Sequence, residues 1–212
     1  MENKITELVF ILDKSGSMAG MEQDTIGGFN AMIEKQKKQE GIAYVSTFLF
    51  SNHTKTLHDR KPLSEIQPLT ENDYQAGGGT ALLDAIGEAI EHISTIHKYA
   101  RVEDIPQNTM FVITTDGMEN ASRKYTNEQI KSLIHEKEGL GWNFLFLAAN
   151  IDAVSTAENI GICEEHAANY SVDEDTEAVY EEISESICYL RECGDLPSNW
   201  GANFERKLNK RT

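Results

Sequence analysis

The sequence predicts an α/β domain with a doubly wound, mostly parallel sheet, one short antiparallel edge strand and helices on both faces. Three observations predict it. Four short apolar runs are continuous rather than alternating, as in strands covered on both faces. Amphipathic stripes at helical spacing lie between most of them. One further strand-like segment follows a strand directly, with no helix between. Strands alternating with helices make βαβ units, and these build a parallel sheet with helices on both sides.

The first apolar run is Leu8-Val9-Phe10-Ile11-Leu12, followed at helical spacing by Ile26, Phe29 and Ile33. The second spans Ala43 to Phe50, and Thr54 to Lys61 returns from it as the expected edge strand. Leu82, Ile86, Ala89, Ile93 and Ile96 then form the clearest helical stripe, ahead of the third run, Met110 to Thr115. Thr126 and Gln129 make a capping-box pattern before Ile130, Leu133 and Ile134. Phe144 to Ala149 is the fourth run, and Ser171 with Glu174 repeats the capping signature before Val179, Ile183, Ile187 and Leu190. No repeat or Pro/Gly/Ser-rich linker interrupts this order. The reading is a single domain over residues 1–193, with 194–212 a peripheral C-terminal extension, basic at its end.

Charge narrows the function. The 212 residues carry 35 acids against 19 bases, a net charge of −16, which disfavours nucleic acid and anionic membrane surfaces as partners. Between Asp152 and Asp195 there are 13 acids and one base, Arg191, read as solvated helix faces or a surface that repels or recruits a partner. The last seven residues hold four bases. Cys163, Cys188 and Cys193 form no CxxC pair, and reduced thiols are expected. With no basic leader and no apolar run near the ~18 residues of a membrane span, a cytoplasmic location is expected.

Three segments carry the chemistry. Asp13-Lys14-Ser15-Gly16-Ser17 ends the first strand, and Thr114-Thr115-Asp116-Gly117 ends the third apolar run. Gly77-Gly78-Gly79-Thr80 precedes the long amphipathic helix. In open α/β sheets, ligands bind outside the carboxyl ends of the strands where strand order reverses. All three segments occupy positions of that kind. Asp13, Ser15, Ser17, Thr80 and Asp116 offer only oxygen donors, which suit Mg²⁺, Mn²⁺ or Ca²⁺ rather than zinc or copper. If the hydroxyls bind directly and the carboxylates act through water, the ion keeps most of its charge and favours an anionic ligand from outside. Taken singly, Asp13 and Ser15 also suit a turn that caps the next helix, and Thr80 suits an N-cap. Met18 and Met21 fit core or rim packing as well as a partner surface, and Glu119 reads as exposed.

Enzyme motifs are missing. Gly77 to Thr80 lacks the lysine of a phosphate loop. Lys14-Ser15-Gly16 lacks the first glycine of a nucleophile elbow. His92 and His97 are not in a zinc-protease frame.

Together, Asp13-x-Ser15-x-Ser17, Thr80 and Asp116-Gly117 resemble the metal-ion-dependent adhesion site (MIDAS) of von Willebrand factor A (vWA) domains, which are Rossmann-like. The element order resembles that family over residues 5 to 190. The resemblance implies that Ser15 and Ser17 bind the ion directly, with Asp13 and Asp116 holding metal-bound waters. It implies that Thr80 is a switchable ligand, and that the site is intact. It further suggests a stand-alone, bacterial-type intracellular member acting as an adaptor. The expected function is a non-enzymatic, Mg²⁺-dependent module (Mn²⁺ or Ca²⁺ also fit) that docks the Asp or Glu carboxylate of a protein partner. The alternatives are a metal-dependent hydrolase of a phosphate or carboxylate substrate, and a structural domain that binds no metal.

Overall fold

The computed structural model describes residues 4–170, 176–197 and 199–208. Its strands are β1 (Ile5–Asp13), β2 (Ile42–Phe50), β3 (Thr54–Pro62), β4 (Asn108–Thr115), β5 (Trp142–Ala148) and β6 (Ala167–Asn169). Its α-helices are α1 (Glu22–Gln36), α2 (Leu82–Tyr99), α3 (Asn127–Glu138), α4 (Ala153–Ile160), α5 (Thr176–Cys193) and α6 (Trp200–Leu208). They form one six-stranded sheet in the order β3-β2-β1-β4-β5-β6. Every neighbour pair is parallel except β2 with β3, the expected antiparallel edge.

All nine residues of β1 are buried, as the continuous apolar run requires of a central strand. The pleat sends Leu8, Phe10 and Leu12 to one core, and Val9 and Ile11 to the other. On the first side α1 and α5 contribute Phe29, Ile33, Ile183 and Ile187. On the second, α2, α3 and α4 contribute Ile86, Ile90, Ile130 and Ala157. The outer strand β3 carries Lys55, Asp59, Arg60 and Lys61, charges that discourage pairing with another sheet. The capping box at Thr126 and Gln129 is formed in both directions. Ser171 and Glu174 lie outside the described residues.

Residues past 193 do not form a peripheral extension over their described part. Leu196, Trp200 and Phe204 are buried in the same core as α1 and α5. Trp200 donates from its indole nitrogen to Ser186 Oγ at 2.6 Å. A Cβ at Gly201 would stand 2.1 Å from the Ala167 carbonyl oxygen, so α6 lies directly on β6. The physical reason is that β6 is a three-residue edge strand whose face needs cover, and α6 supplies two aromatics one turn apart.

The acidic stretch is likewise more than solvated faces. Glu182 is buried and accepts from Lys207 at 2.8 Å, so α6 neutralises part of α5. Arg191 donates to the backbone oxygens of Gln36 and Glu40 at 3.1 and 2.9 Å, fastening α5 to the end of α1. Among the described residues, no helix is long and apolar enough to cross a membrane.

Candidate metal-binding site

The strand order reverses between β1 and β4, which are neighbours in the sheet while β2 lies on the far side of β1. Asp13 ends β1 and Asp116 follows β4, so the two carboxylates flank that switch point. Both are buried, at 1% and 4% exposure. Asp13 Oδ1 accepts from the Ser15 amide at 2.7 Å, and its Oδ2 accepts from Thr115 Oγ1 at 2.6 Å. Asp116 Oδ1 accepts from Ser17 Oγ at 2.6 Å. The Ser15 and Ser17 hydroxyls are 3.1 Å apart.

Thr80 arrives from a different part of the chain. Two backbone hydrogen bonds pin the glycine loop to the β1 loop: Gly16 N to Gly78 O and Gly77 N to Lys14 O, each 2.9 Å. Gly78 has φ +87°, a left-handed conformation that glycine adopts without strain. Asn52 Oδ1 accepts from the Gly79 amide, and Asn120 Oδ1 accepts from the Thr80 amide, at 2.7 and 2.9 Å.

Gly117 shows where these groups converge. A Cβ there would lie 2.9 Å from Thr80 Oγ1, 3.1 Å from Ser17 Oγ and 3.7 Å from Ser15 Oγ. Three hydroxyl oxygens from three loop positions thus surround the space beside one α-carbon, with two buried carboxylates joined to them. Burial pushes the carboxyls of Asp13 and Asp116 above the usual range, against the pull of their hydrogen bonds from Thr115, Ser15 and Ser17. Two buried acids beside converging oxygens make a pocket that a cation would stabilise. Among the described residues, no group of three or more His, Cys, Asp or Glu side chains is placed to hold a metal ion, so the donor set is hydroxyl-based. That chemistry fits a hard divalent cation. All five sequence-predicted residues are therefore brought together.

Several supporting residues carried no sequence signal. Asn52 and Asn120 orient the glycine loop, and neither belongs to a recognisable spacing. Glu119 is half-buried rather than exposed: it accepts from the Leu83, Ala121 and Ser122 amides, tying the β4 loop to the start of α2. Asp84 is buried and accepts from the amides of Arg123, Lys124 and Tyr125. Met18 belongs to the core, whereas Met118, beside the site, is 73% exposed.

A doubly wound sheet with converging oxygen donors at its switch point defines a class, the Rossmann-like α/β domains whose sites lie at the carboxyl edge of the sheet. The particular family follows from sequence. A family model for "VWA domain containing CoxE-like protein" matches residues 2–152, and the chain belongs to that family. No curated protein matches the chain.

Among solved structures, proximal thread matrix protein 1 from the mussel byssus is similar at 14% identity and a TM-score of 0.57, over 89% of this chain and 46% of its own. Another structure of that protein, described as having a zinc-occupied MIDAS motif, is similar over 87% of this chain and 46% of its own, again at 14% identity and a TM-score of 0.57. The ArnB paralog VWA2 from Sulfolobus acidocaldarius is similar at 19% identity and a TM-score of 0.54, over 86% of this chain and 44% of its own. The chain spans less than half the length of these structures, and the likeness is one of fold.

Proposed function

We propose that this vWA domain is a non-enzymatic, divalent-cation-dependent protein-binding module with an intact MIDAS. The observation that carries the reading is the convergence of Ser15, Ser17 and Thr80 hydroxyls beside Gly117, backed by the Asp13 and Asp116 carboxylates. Ser15, Ser17 and Thr80 would hold the ion, with Asp13 and Asp116 orienting water around it. When bound, the cation supplies a Lewis-acidic position for a carboxylate of the partner. Mg²⁺ is the proposed occupant, with Mn²⁺ and Ca²⁺ as alternatives that the same all-oxygen donors also suit.

The chain's own residues prepare this contact. Asp13 and Thr115 hold the first loop in register, and Ser17 and Asp116 join it to the β4 loop. Asn52 and Asn120 set the Thr80 backbone. Lys14 is half-exposed beside the site, where its ammonium attracts an acidic partner. The three free cysteines support a reducing, cytoplasmic setting.

Calorimetric titration of metal-stripped protein with Mg²⁺, Mn²⁺ and Ca²⁺ tests the reading, with acetate or glutamate present to supply the missing carboxylate. Binding near one equivalent that vanishes in Ser15→Ala/Ser17→Ala is expected. No binding at millimolar metal with carboxylate present would leave a structural vWA domain instead.

A further inference from the structure

The pole opposite the metal site, at the amino ends of the strands, has a different chemistry. Five of the seven exposed large apolar residues among the described residues lie there: Ile42, Tyr99, Val102, Ile105 and Leu140. A cleft of about 350 Å³ opens between the ends of α2 and α3 and the first residues of β4 and β5. Ile105, Leu140 and Trp142 form its apolar wall, and Lys98, Lys137 and His97 also line it. No Asp or Glu lines it among the described residues, in a chain with 35 acids.

The cleft is built on a rigid base. Trp142 stacks on Phe111 with centroids 5.3 Å apart, and Phe111 stacks on Phe144 at 4.9 Å. His97 meets the Trp142 ring edge-on at 5.3 Å. Its Nε2 is buried without a hydrogen-bond partner, 3.5 Å from the fully buried Glu7 carboxylate. Arg60 Nε holds one oxygen of that carboxylate, Oε2, at 2.8 Å, while Oε1 is buried without a hydrogen-bond partner among the described residues. Of the two ammonium groups at the cleft, Lys137 pairs with Glu136 at 2.7 Å and lies over the Trp142 ring at 5.7 Å. Lys98 rests on the Tyr99 ring at 5.5 Å and makes no ion pair among the described residues.

We propose that this cleft is a second docking surface, for a partner polypeptide segment that carries an apolar side chain next to a carboxylate. The apolar side chain packs against Trp142, Ile105 and Leu140, and the carboxylate meets Lys98. A polypeptide is favoured over a small molecule because further exposed apolar side chains follow the cleft-lining Lys98 in the chain, interleaved with the exposed charges of Arg101 and Glu103. Tyr99 and Val102 are 77% and 84% exposed. The nine residues of β1 separate the two poles by roughly 30 Å at ~3.3 Å per residue. That distance lets partners occupy both ends at once, which makes the domain a two-ended bridge. Docking at this cleft goes beyond the metal reading and stands without it, whereas the two-ended bridge rests on both.

Selection of a displayed random-peptide library on the intact protein in EDTA tests this without any contribution from a bound cation. Enrichment of peptides with an acidic residue beside an aliphatic or aromatic one is expected. Their synthetic versions should quench or shift Trp142 fluorescence. Affinity should fall at least tenfold in Lys98→Glu and in Leu140→Asp, and tenfold when the peptide's acid becomes its amide. Lys98→Arg should retain binding, and Lys98→Glu should leave the calorimetric Mg²⁺ isotherm unchanged. Absence of enrichment, or peptides that bind both cleft variants as well as the parent, would overturn the proposal while leaving the metal reading intact.

Discussion

Gly117 presents its α-carbon so closely to Thr80 that a methyl group there would stand 2.9 Å from Oγ1, inside the contact distance of real Cβ atoms. The same methyl would meet Ser17 Oγ at 3.1 Å. Gly117→Ala therefore fills the space on which the three hydroxyls converge. Its expected effect is a loss of metal affinity of about tenfold or more by calorimetry, with the circular dichroism spectrum unchanged. Unaltered affinity in this variant would show that the ion, if bound, does not sit among these hydroxyls.

Thr115 tests the support of Asp13 rather than the donor set. Its hydroxyl donates to an oxygen of the buried Asp13 carboxylate and accepts from the Gly117 amide at 3.2 Å. Thr115→Val keeps the shape of the side chain and leaves that oxygen without its partner, which costs on the order of 1–3 kcal/mol. Urea unfolding at neutral pH should register that loss in the midpoint without a change of slope. A midpoint equal to the parent's would mean that the bond contributes nothing net.

Glu7 and Arg60 form an ion pair far from the metal site, in which Glu7 is fully buried and Arg60 is half-buried and also donates to the Asp104 carbonyl at 2.7 Å. Removing one partner strands the other charge. Arg60→Met should destabilise by about 3–5 kcal/mol, and Glu7→Gln added to it should recover part of that. Failure of the double variant to recover stability would place the loss in packing, because the Arg60 guanidinium also covers the Tyr44 ring at 4.8 Å.

The role of α6 is measurable by Trp200→Ala. The indole is 4% exposed and packs against Phe204. Truncating it should cost about 3–5 kcal/mol in chemical unfolding, the usual range for a buried aromatic. A cost below 1 kcal/mol would return residues past 193 to the status of an accessory segment.

Two histidines set a pH dependence. Burial holds both His58 and His166 below the ordinary imidazole value. Between the lowered folded values and ~6.5 the unfolded chain binds more protons, so stability rises with pH across that interval. The contribution is complete above ~6.5 and is lost as pH falls through it toward the folded values. The melting temperature of the parent should therefore fall relative to that of His58→Gln/His166→Gln as pH drops from about 7.5 to 5.5. A difference that stays constant would refute the assignment.

Much of the site was legible because its residues sit in short local segments. Asp13, Ser15 and Ser17 fall within five positions, and Asp116-Gly117 directly follows an apolar strand. Asn52, Asn120 and Asp84 were not legible, because each works by accepting backbone amides from distant loops, as Glu119 does from Leu83. Such bonds leave no spacing in the chain. The three-residue β6 and the short α4 fell below the length at which periodicity is readable. The partners of Glu182 and Arg191 were hidden for the same reason as the asparagines.

By itself the sequence determined the α/β class, the edge strand and the residue types at the strand ends, since periodicity and turn chemistry act over a few neighbours. Tertiary structure alone decided that Gly117 marks the point where the Thr80, Ser15 and Ser17 hydroxyls converge, that Arg60 reaches Glu7, and that α6 belongs to the core. Each of those depends on contacts between segments tens of residues apart, which only sheet order and helix packing bring together.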